Sequence, residues 1–282
     1  MEENYTLGLT LILTLGVTAQ WLAWRFKLPS ILLLLVFGFV AGPVAKWINP
    51  DLILGELAEP YISLAVAVVL FEGGLSLNLR ELKGSAPVIL RLVTVGSLVG
   101  WLVTAFFANM IIGLNWGASL LTGAILIITG PTVIGPMLRA IRPKGRVRDV
   151  LKWEGILNDP IGAVLAVLIM EAIVVTHSGG ERGFILVQMV KTLVAGLAVG
   201  GGVSLIHILL MRRKAIPDFL HNSFTLALVL LASVSSNSIE SDAGLIAVTL
   251  MGIVLANQGE FASVTDCEFV YYSLGTLRAF GF

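Results

Sequence analysis

The chain of 282 residues is 57% hydrophobic and only 13% charged, and its mean hydropathy is +0.94. These values exclude a water-soluble domain, whose surface needs more charge, and predict an integral membrane protein. Basic and acidic residues number 18 each, so the net charge carries no information, and we expect no nucleic-acid partner. The single cysteine, Cys267, excludes an internal disulfide framework and a cysteine-based metal site.

Polar residues divide the chain into about nine predicted membrane spans. A helix needs roughly 17–25 mainly apolar residues to cross a bilayer. In chain order the spans are Leu7–Trp24, Pro29–Trp47, Pro60–Leu77, the stretch from beyond Lys83 to Gly113, Gly117–Leu138, Leu151–Val175, Phe184–Met211, Asn222–Ile239 and Ala243–Ala256. The predicted fold class is therefore all-α, a polytopic bundle of transmembrane helices.

Positive charge is distributed unevenly between the predicted loops. Basic residues follow the first, third, fifth and seventh spans, at Arg25 and Lys27, Arg80 and Lys83, Arg139 to Lys152, and Arg212 to Lys214. Because loops rich in lysine and arginine stay in the cytoplasm, we expect an extracytoplasmic N-terminus in a multi-pass protein of the inner cell membrane. The densest cluster, between Arg139 and Lys152, is either a topology signal alone or also a contact for lipid headgroups or a regulator.

The last residues differ from the rest of the chain. We expect a transmembrane domain over residues 1–258 and a short atypical tail over 259–282, since no window after Gln258 is long and apolar enough to span a bilayer. Two interpretations of the tail stay open. It is either a short cytoplasmic segment or the result of a truncation or an altered reading frame near Val264.

The sixth predicted span carries polar side chains that a membrane helix normally excludes. A charged group at the bilayer centre costs at least about 2.5–3.5 kcal/mol, so such residues predict ion, proton or substrate handling. Glu154 and Asn158 are four residues apart and share a helix face, with Asp159 about 100° further round. Since one carboxylate binds either a proton or a cation, we expect the two ligands to compete for Asp159.

The fifth predicted span is interrupted by prolines. Pro131 has no N–H to donate to the carbonyl of Ile127, and Pro136 likewise has none for the carbonyl of Thr132. Freed carbonyls and the hydroxyls of Thr129 and Thr132 are hard oxygen ligands that suit an alkali cation, and unwound backbone at membrane depth occurs where protein or water covers it. The alternative is a simple proline kink.

The third predicted span contains one more carboxylate, Glu72, beside two glycines. Glu72 faces either a water-filled funnel or the membrane interface, where it would have no function. A membrane hydrolase could pair Asp159 with Glu154 or Glu72, but the neighbouring spans offer no second aspartate and no Ser/His arrangement. In the seventh span, Gly196 and Gly200 allow close helix packing or a dimer face.

Four stretches of the chain form a pattern in their order and spacing. They are Leu70–Leu75, Thr129–Thr132, Glu154–Asp159 and Gly244–Gly252. With them the chain resembles the monovalent cation:proton antiporter family, in the branch of bacterial sodium/proton exchangers that carry an Asn-Asp pair. The resemblance covers about Leu7–Gln258.

This resemblance implies a role for each candidate site residue. In the family, the aspartate matching Asp159 alternately binds cation and proton, while the residues matching Asn158 and Glu154 organise the site. The threonine matching Thr129 lies where two unwound helices cross. The resemblance implies a secondary transporter, not an enzyme, that exchanges Na+ or K+ for protons by alternating access without a cofactor. The implied partners are membrane lipid, the cation and the proton, and the implied assembly is a homodimer if the chain is complete.

The chain also departs from the family pattern in two ways. Many relatives have Thr-Asp-Pro where this chain has Thr129-Gly130-Pro131, so one expected carboxylate is absent and a preference for sodium does not follow. Such antiporters resemble two inverted repeats of about thirteen helices in total, and the second broken helix would lie beyond Phe282. The alternative function is therefore a transport-inactive fragment, or an accessory subunit of a full-length relative.

Overall fold

The structure is a computed structural model, and most of the described residues are helical. The described residues are 2–26, 28, 30–49, 53–82, 84–141, 143, 145–177, 184–213 and 216–258. Within them no strand occurs. The predicted tail, residues 259–282, lies outside the described residues.

Ten helices of ten or more residues can be distinguished in this described part. They are α1 (Glu2–Phe26), α2 (Ser30–Val44), α3 (Gly55–Leu75), α4 (Ala86–Ile112), α5 (Trp116–Leu126), α6 (Pro131–Ile141), α7 (Arg146–His177), α8 (Phe184–Arg212), α9 (His221–Ile239) and α10 (Ala243–Ala256). Six of them are long and apolar enough to cross a membrane, and three more, α2, α5 and α10, are shorter apolar helices. The prediction of a polytopic helical bundle is confirmed.

The predicted fifth span, Gly117–Leu138, is two helices. Helix α5 begins after Asn115, whose side-chain oxygen accepts from the N–H of Ala118 at 2.8 Å and caps the helix. Helix α5 ends at Leu126, and α6 starts at Pro131. Proline suits the first position of a helix because the N–H that it lacks would have no helical acceptor there.

The helices belong to two compact units. The first comprises the residues up to Ala65 together with Thr132–Arg148, and the second comprises Val66–Pro131 and the chain from Asp149 onward. In the first unit α1 packs along α2. A Cβ atom added to Gly8 would collide with the side chain of Ile53, so α1 also approaches the residues before α3 closely.

Helix α10 lies at the centre of the second unit and packs against α8 and α9. Ala243 and Ala247 of α10 are 0% exposed. A Cβ atom on Gly196 would lie 2.8 Å from the carbonyl oxygen of Ala243, and one on Gly200 would collide with the backbone of Ala247. These two glycines of α8 therefore serve close packing inside the chain, which was one of their two predicted roles.

Helix α3 crosses α10 at a second pair of glycines. A Cβ atom on Gly74 would lie 2.6 Å from the carbonyl oxygen of Thr249 and 3.1 Å from Cα of Gly252. A Cβ atom on Gly252 would in turn collide with the carbonyl oxygen of Phe71. Two of the stretches that carry the family resemblance are thus in backbone contact.

Asn257 connects the ends of the same two helices. Its side chain is 3% exposed, and its oxygen accepts from the N–H of Leu79 at 2.8 Å. Its nitrogen donates to the carbonyls of Leu77 at 2.9 Å and of Ile253 at 2.7 Å. The backbone that leaves α3 is therefore fixed to the end of α10.

Large apolar side chains remain exposed on several of the long helices. Leu13 and Trp24 of α1 are 70% and 76% exposed, and Ile111 of α4 is 75% exposed. Such surface would favour aggregation in water but matches the hydrocarbon of a bilayer. The exposed surface agrees with a multi-pass membrane protein.

Candidate functional site

The candidate site is built around the gap between α5 and α6. Residues 127–130 are not helical, and Pro131 begins the next helix. Because proline has no N–H, the carbonyl of Ile127 has no helical donor four residues later. The sequence predicted this free carbonyl, and the structure shows which side chain binds it.

Asn158 of α7 is the side chain that binds the carbonyl of Ile127. Its amide nitrogen donates to the carbonyl oxygen of Ile127 at 2.6 Å, and its amide oxygen accepts from the hydroxyl of Ser97 at 2.7 Å. Since a main-chain carbonyl can only accept, the amide nitrogen must face Ile127 and the oxygen must face Ser97. The Asn158 side chain is only 2% exposed, so both of its polar ends are satisfied by protein groups.

A second hydrogen bond joins the gap to α7 one turn earlier. The hydroxyl of Thr129 lies 3.2 Å from Oε1 of Glu154 and donates to it. Glu154 is partly buried and shares a helix face with Asn158. Two side chains of α7 thus bind the non-helical segment at residues 127 and 129.

Asp159 follows Asn158 directly and is partly buried. Within the described part of the chain, no hydrogen bond or ion pair to its carboxylate is found. By contrast, Asn158 bonds through both ends of its amide, and Glu154 accepts the Thr129 hydroxyl on Oε1.

Apolar packing holds α7 in place beside α4 and the gap. Trp153 and Ile156 are each 3% exposed and belong to one buried cluster with Val93 of α4. A Cβ atom on Gly162 would lie 2.5 Å from Cγ1 of Ile128, so the backbone of α7 approaches the non-helical segment closely. Glycine at residue 162 is what permits that approach.

The other two predicted site residues are Thr132 and Glu72. Thr132 lies in the backbone of α6, but its side chain is outside the described residues. Glu72 is exposed on α3, and no described hydrogen bond or ion pair joins it to Asn158, Glu154 or Asp159. Among the described residues, no group of three or more His, Cys, Asp or Glu could hold a metal ion.

Ser97 is a residue of this cluster that sequence reasoning missed. A hydroxyl within an apolar helix usually bonds to the preceding turn of its own helix, as Thr94 does to the carbonyl of Leu90 at 2.6 Å. Nothing in the local sequence separates Ser97 from that common behaviour. The Ser97 hydroxyl also lies 3.3 Å from the carbonyl oxygen of Leu92 in its own helix, and what distinguishes it is the shorter contact with Asn158 of α7, which is distant in sequence.

The chain is similar in sequence to known membrane transporters. The family model described as "Sodium/hydrogen exchanger, transmembrane" matches residues 9–281. The K+/H+ antiporter NhaP of Alkalimonas amylolytica is 26% identical over 249 residues, which is 86% of this chain and 42% of that protein. The Na+/H+ antiporter 1 of Methanocaldococcus jannaschii is 30% identical over 173 residues, 60% of this chain and 40% of that protein.

The chain is also similar to a third antiporter. The K+/H+ antiporter NhaP2 of Shewanella baltica is 23% identical over 250 residues, 88% of this chain and 43% of that protein. The chain therefore spans about two fifths of the length of these relatives. Since the family model matches nearly the whole chain, the chain belongs to the transmembrane sodium/hydrogen exchanger family.

Proposed function

We propose that this chain provides the ion site of a secondary transporter that exchanges Na+ or K+ for protons by alternating access. The observation that carries the proposal is the pair of hydrogen bonds that joins the gap between α5 and α6 to α7, the helix that carries Asp159 next to Asn158. The relatives named above are K+/H+ and Na+/H+ antiporters, which supports a monovalent cation as the exchanged ligand.

Asp159 is the shared carboxylate in this proposal. A bound cation neutralises the negative charge of the Asp159 carboxylate, and a bound proton neutralises the same charge. Binding of the cation therefore excludes the proton, and binding of the proton excludes the cation. Thr129 contributes an oxygen beside the same helix break, and Thr132 is a further hydroxyl candidate. Asn158 and Glu154 organise the site through their bonds to the non-helical segment. Glu72 is assigned to a funnel that leads to the site.

The arrangement in the membrane is part of the proposal. The protein lies in the inner cell membrane with an extracytoplasmic N-terminus and with its basic loops in the cytoplasm. It is surrounded by lipid and, if the chain is complete, forms a homodimer. No cofactor takes part in the exchange.

Competition between the two ligands tests the proposal. In everted membrane vesicles that contain the full chain, cation-dependent proton movement is followed with a pH-sensitive dye at several pH values. If one carboxylate serves both ligands, the apparent KM for the cation rises by up to about tenfold for each unit fall in pH, while the maximal rate changes little. A KM that does not depend on pH would contradict a shared site.

A co-expression arm tests the alternative of an accessory role. The full chain is expressed alone and together with the full-length Alkalimonas antiporter, and exchange and co-purification are measured in both cases. Exchange by the chain alone supports the proposal. Exchange that needs the relative, together with stable co-purification, supports the accessory subunit instead.

A further inference from the structure

Ser97 lies at an irregular position of α4. It follows a π-helical turn, Leu92–Gly96, and its own N–H donates to the carbonyl of Leu92. Its hydroxyl lies 2.7 Å from Oδ1 of Asn158 and 3.3 Å from the carbonyl oxygen of Leu92. A π-helical turn rotates the residues after it relative to those before it, and such turns are frequent at functional sites.

Asn158 links Ser97 to the gap between α5 and α6 through two hydrogen bonds. Ser97 donates to the amide oxygen of Asn158, and the amide nitrogen donates to the carbonyl of Ile127. Reversal of the amide would set two carbonyl oxygens against each other at Ile127. Loss of the Ser97 hydroxyl would leave the buried amide oxygen without a donor, which favours rotation of Asn158 away from Ile127.

We propose that Ser97 is a positioning residue for the exchange site. It holds Asn158 on Ile127 and so keeps the non-helical segment, including Thr129, in place against α7, the helix that carries Asp159. In this arrangement the amide oxygen of Asn158 accepts from Ser97, and the amide nitrogen is directed at the non-helical segment. The inference rests on the proposed function, because it assigns Ser97 to the site of the same exchange.

Three variants of the full chain test it. Ser97→Ala removes the donor, Ser97→Thr keeps it, and Thr94→Ala removes a hydroxyl of the same helix that bonds to Leu90 of its own helix. Loss of one hydrogen bond at the site is expected to raise the KM for the cation about threefold to tenfold in Ser97→Ala, with a smaller change in kcat. Ser97→Thr and Thr94→Ala are expected to keep the wild-type KM.

Amide hydrogen exchange gives a second readout that does not depend on transport. Residues 127–130 should exchange faster in Ser97→Ala than in the wild type, Ser97→Thr or Thr94→Ala, because the segment has lost a support. If Ser97→Ala cannot be purified, Ser97→Cys, a weaker donor, should show the same changes at smaller size.

Each outcome decides the inference. A raised KM and faster exchange in Ser97→Ala alone support it. Wild-type values in Ser97→Ala, or equal changes in Thr94→Ala, overturn it. If the wild-type chain moves no cations, the proposed function fails, and the hydrogen-exchange comparison still decides whether Ser97 positions the segment.

Discussion

The amide nitrogen of Asn158 lies 2.6 Å from the main-chain carbonyl oxygen of Ile127. In a continuous helix this carbonyl would accept from residue 131, but that residue is a proline that begins α6. A side chain from α7 therefore replaces the backbone donor that the chain lacks. The gap between α5 and α6 is for this reason a specified part of the fold and not a frayed helix end.

Replacement of Asn158 by alanine should destabilise the protein. The carbonyl of Ile127 loses its donor in a place where Asn158 is only 2% exposed, and an unsatisfied buried polar group costs about 1–3 kcal/mol. We expect a loss of about 2 kcal/mol in unfolding free energy, measured by unfolding in detergent. Asn78→Ala is the matched control, because its oxygen accepts from Arg80 in an exposed turn, and a loss of equal size there would contradict the interpretation.

Cation exchange should depend on the hydroxyl of Thr129 but not on its methyl group. Thr129→Val keeps the shape and removes the donor to Glu154, whereas Thr129→Ser keeps the donor. We expect the KM for the cation to rise about threefold to tenfold in the valine variant and to stay within about twofold of wild type in the serine variant. The same KM in both variants would show that the contact with Glu154 does not matter for exchange.

The glycine crossing of α3 and α10 should not tolerate a methyl group. In Gly252→Ala the new Cβ meets the carbonyl oxygen of Phe71, and backbone cannot move aside as a flexible side chain could. Overpacking of this kind costs about 1–3 kcal/mol or more. Gly201→Ala in α8 is the control, since no atom lies within 4 Å of the added Cβ. Its thermal stability should be unchanged or slightly higher, because alanine favours the helix.

Lys152 and Glu81 should be energetically coupled. Their charged groups lie 3.1 Å apart, and the two side chains are 19% and 29% exposed. A double-mutant cycle with Lys152→Met and Glu81→Gln should give a coupling of about 0.5–1 kcal/mol that decreases at high salt. Additive effects of the two substitutions would show that the pair contributes nothing beyond the separate side chains.

Much of the fold follows from the sequence because apolar length determines where a chain can cross a bilayer. The order of the helices and the interruption near Pro131 were both predicted from apolar runs and proline chemistry. The fifth span was placed as one helix from Gly117 to Leu138, since composition alone does not show that residues 127–130 leave the helical path. The predicted roles of Asp159 and Thr129 in ion binding stay predictions.

What could not be predicted depends on pairs of residues far apart in the chain. The sequence around Ser97 is that of any serine in an apolar helix. It reveals neither the π-helical turn before Ser97 nor the packing of α7 against α4 that gives it Asn158 as a partner. Gly74 meets Gly252, and Leu79 meets Asn257, through the crossing of α3 and α10. Periodicity along one helix contains no information about which other helix covers it.

The central claim is that Asp159 is the carboxylate that cation and proton share. The most direct measurement is cation-dependent proton movement in everted vesicles that contain the wild type, Asp159→Asn or Asp149→Asn, with equal amounts of each protein inserted. Asp149 lies in the first turn of α7 and serves as the matched control. We predict background rates for Asp159→Asn and wild-type rates for Asp149→Asn. Exchange by Asp159→Asn at the wild-type rate would contradict the claim.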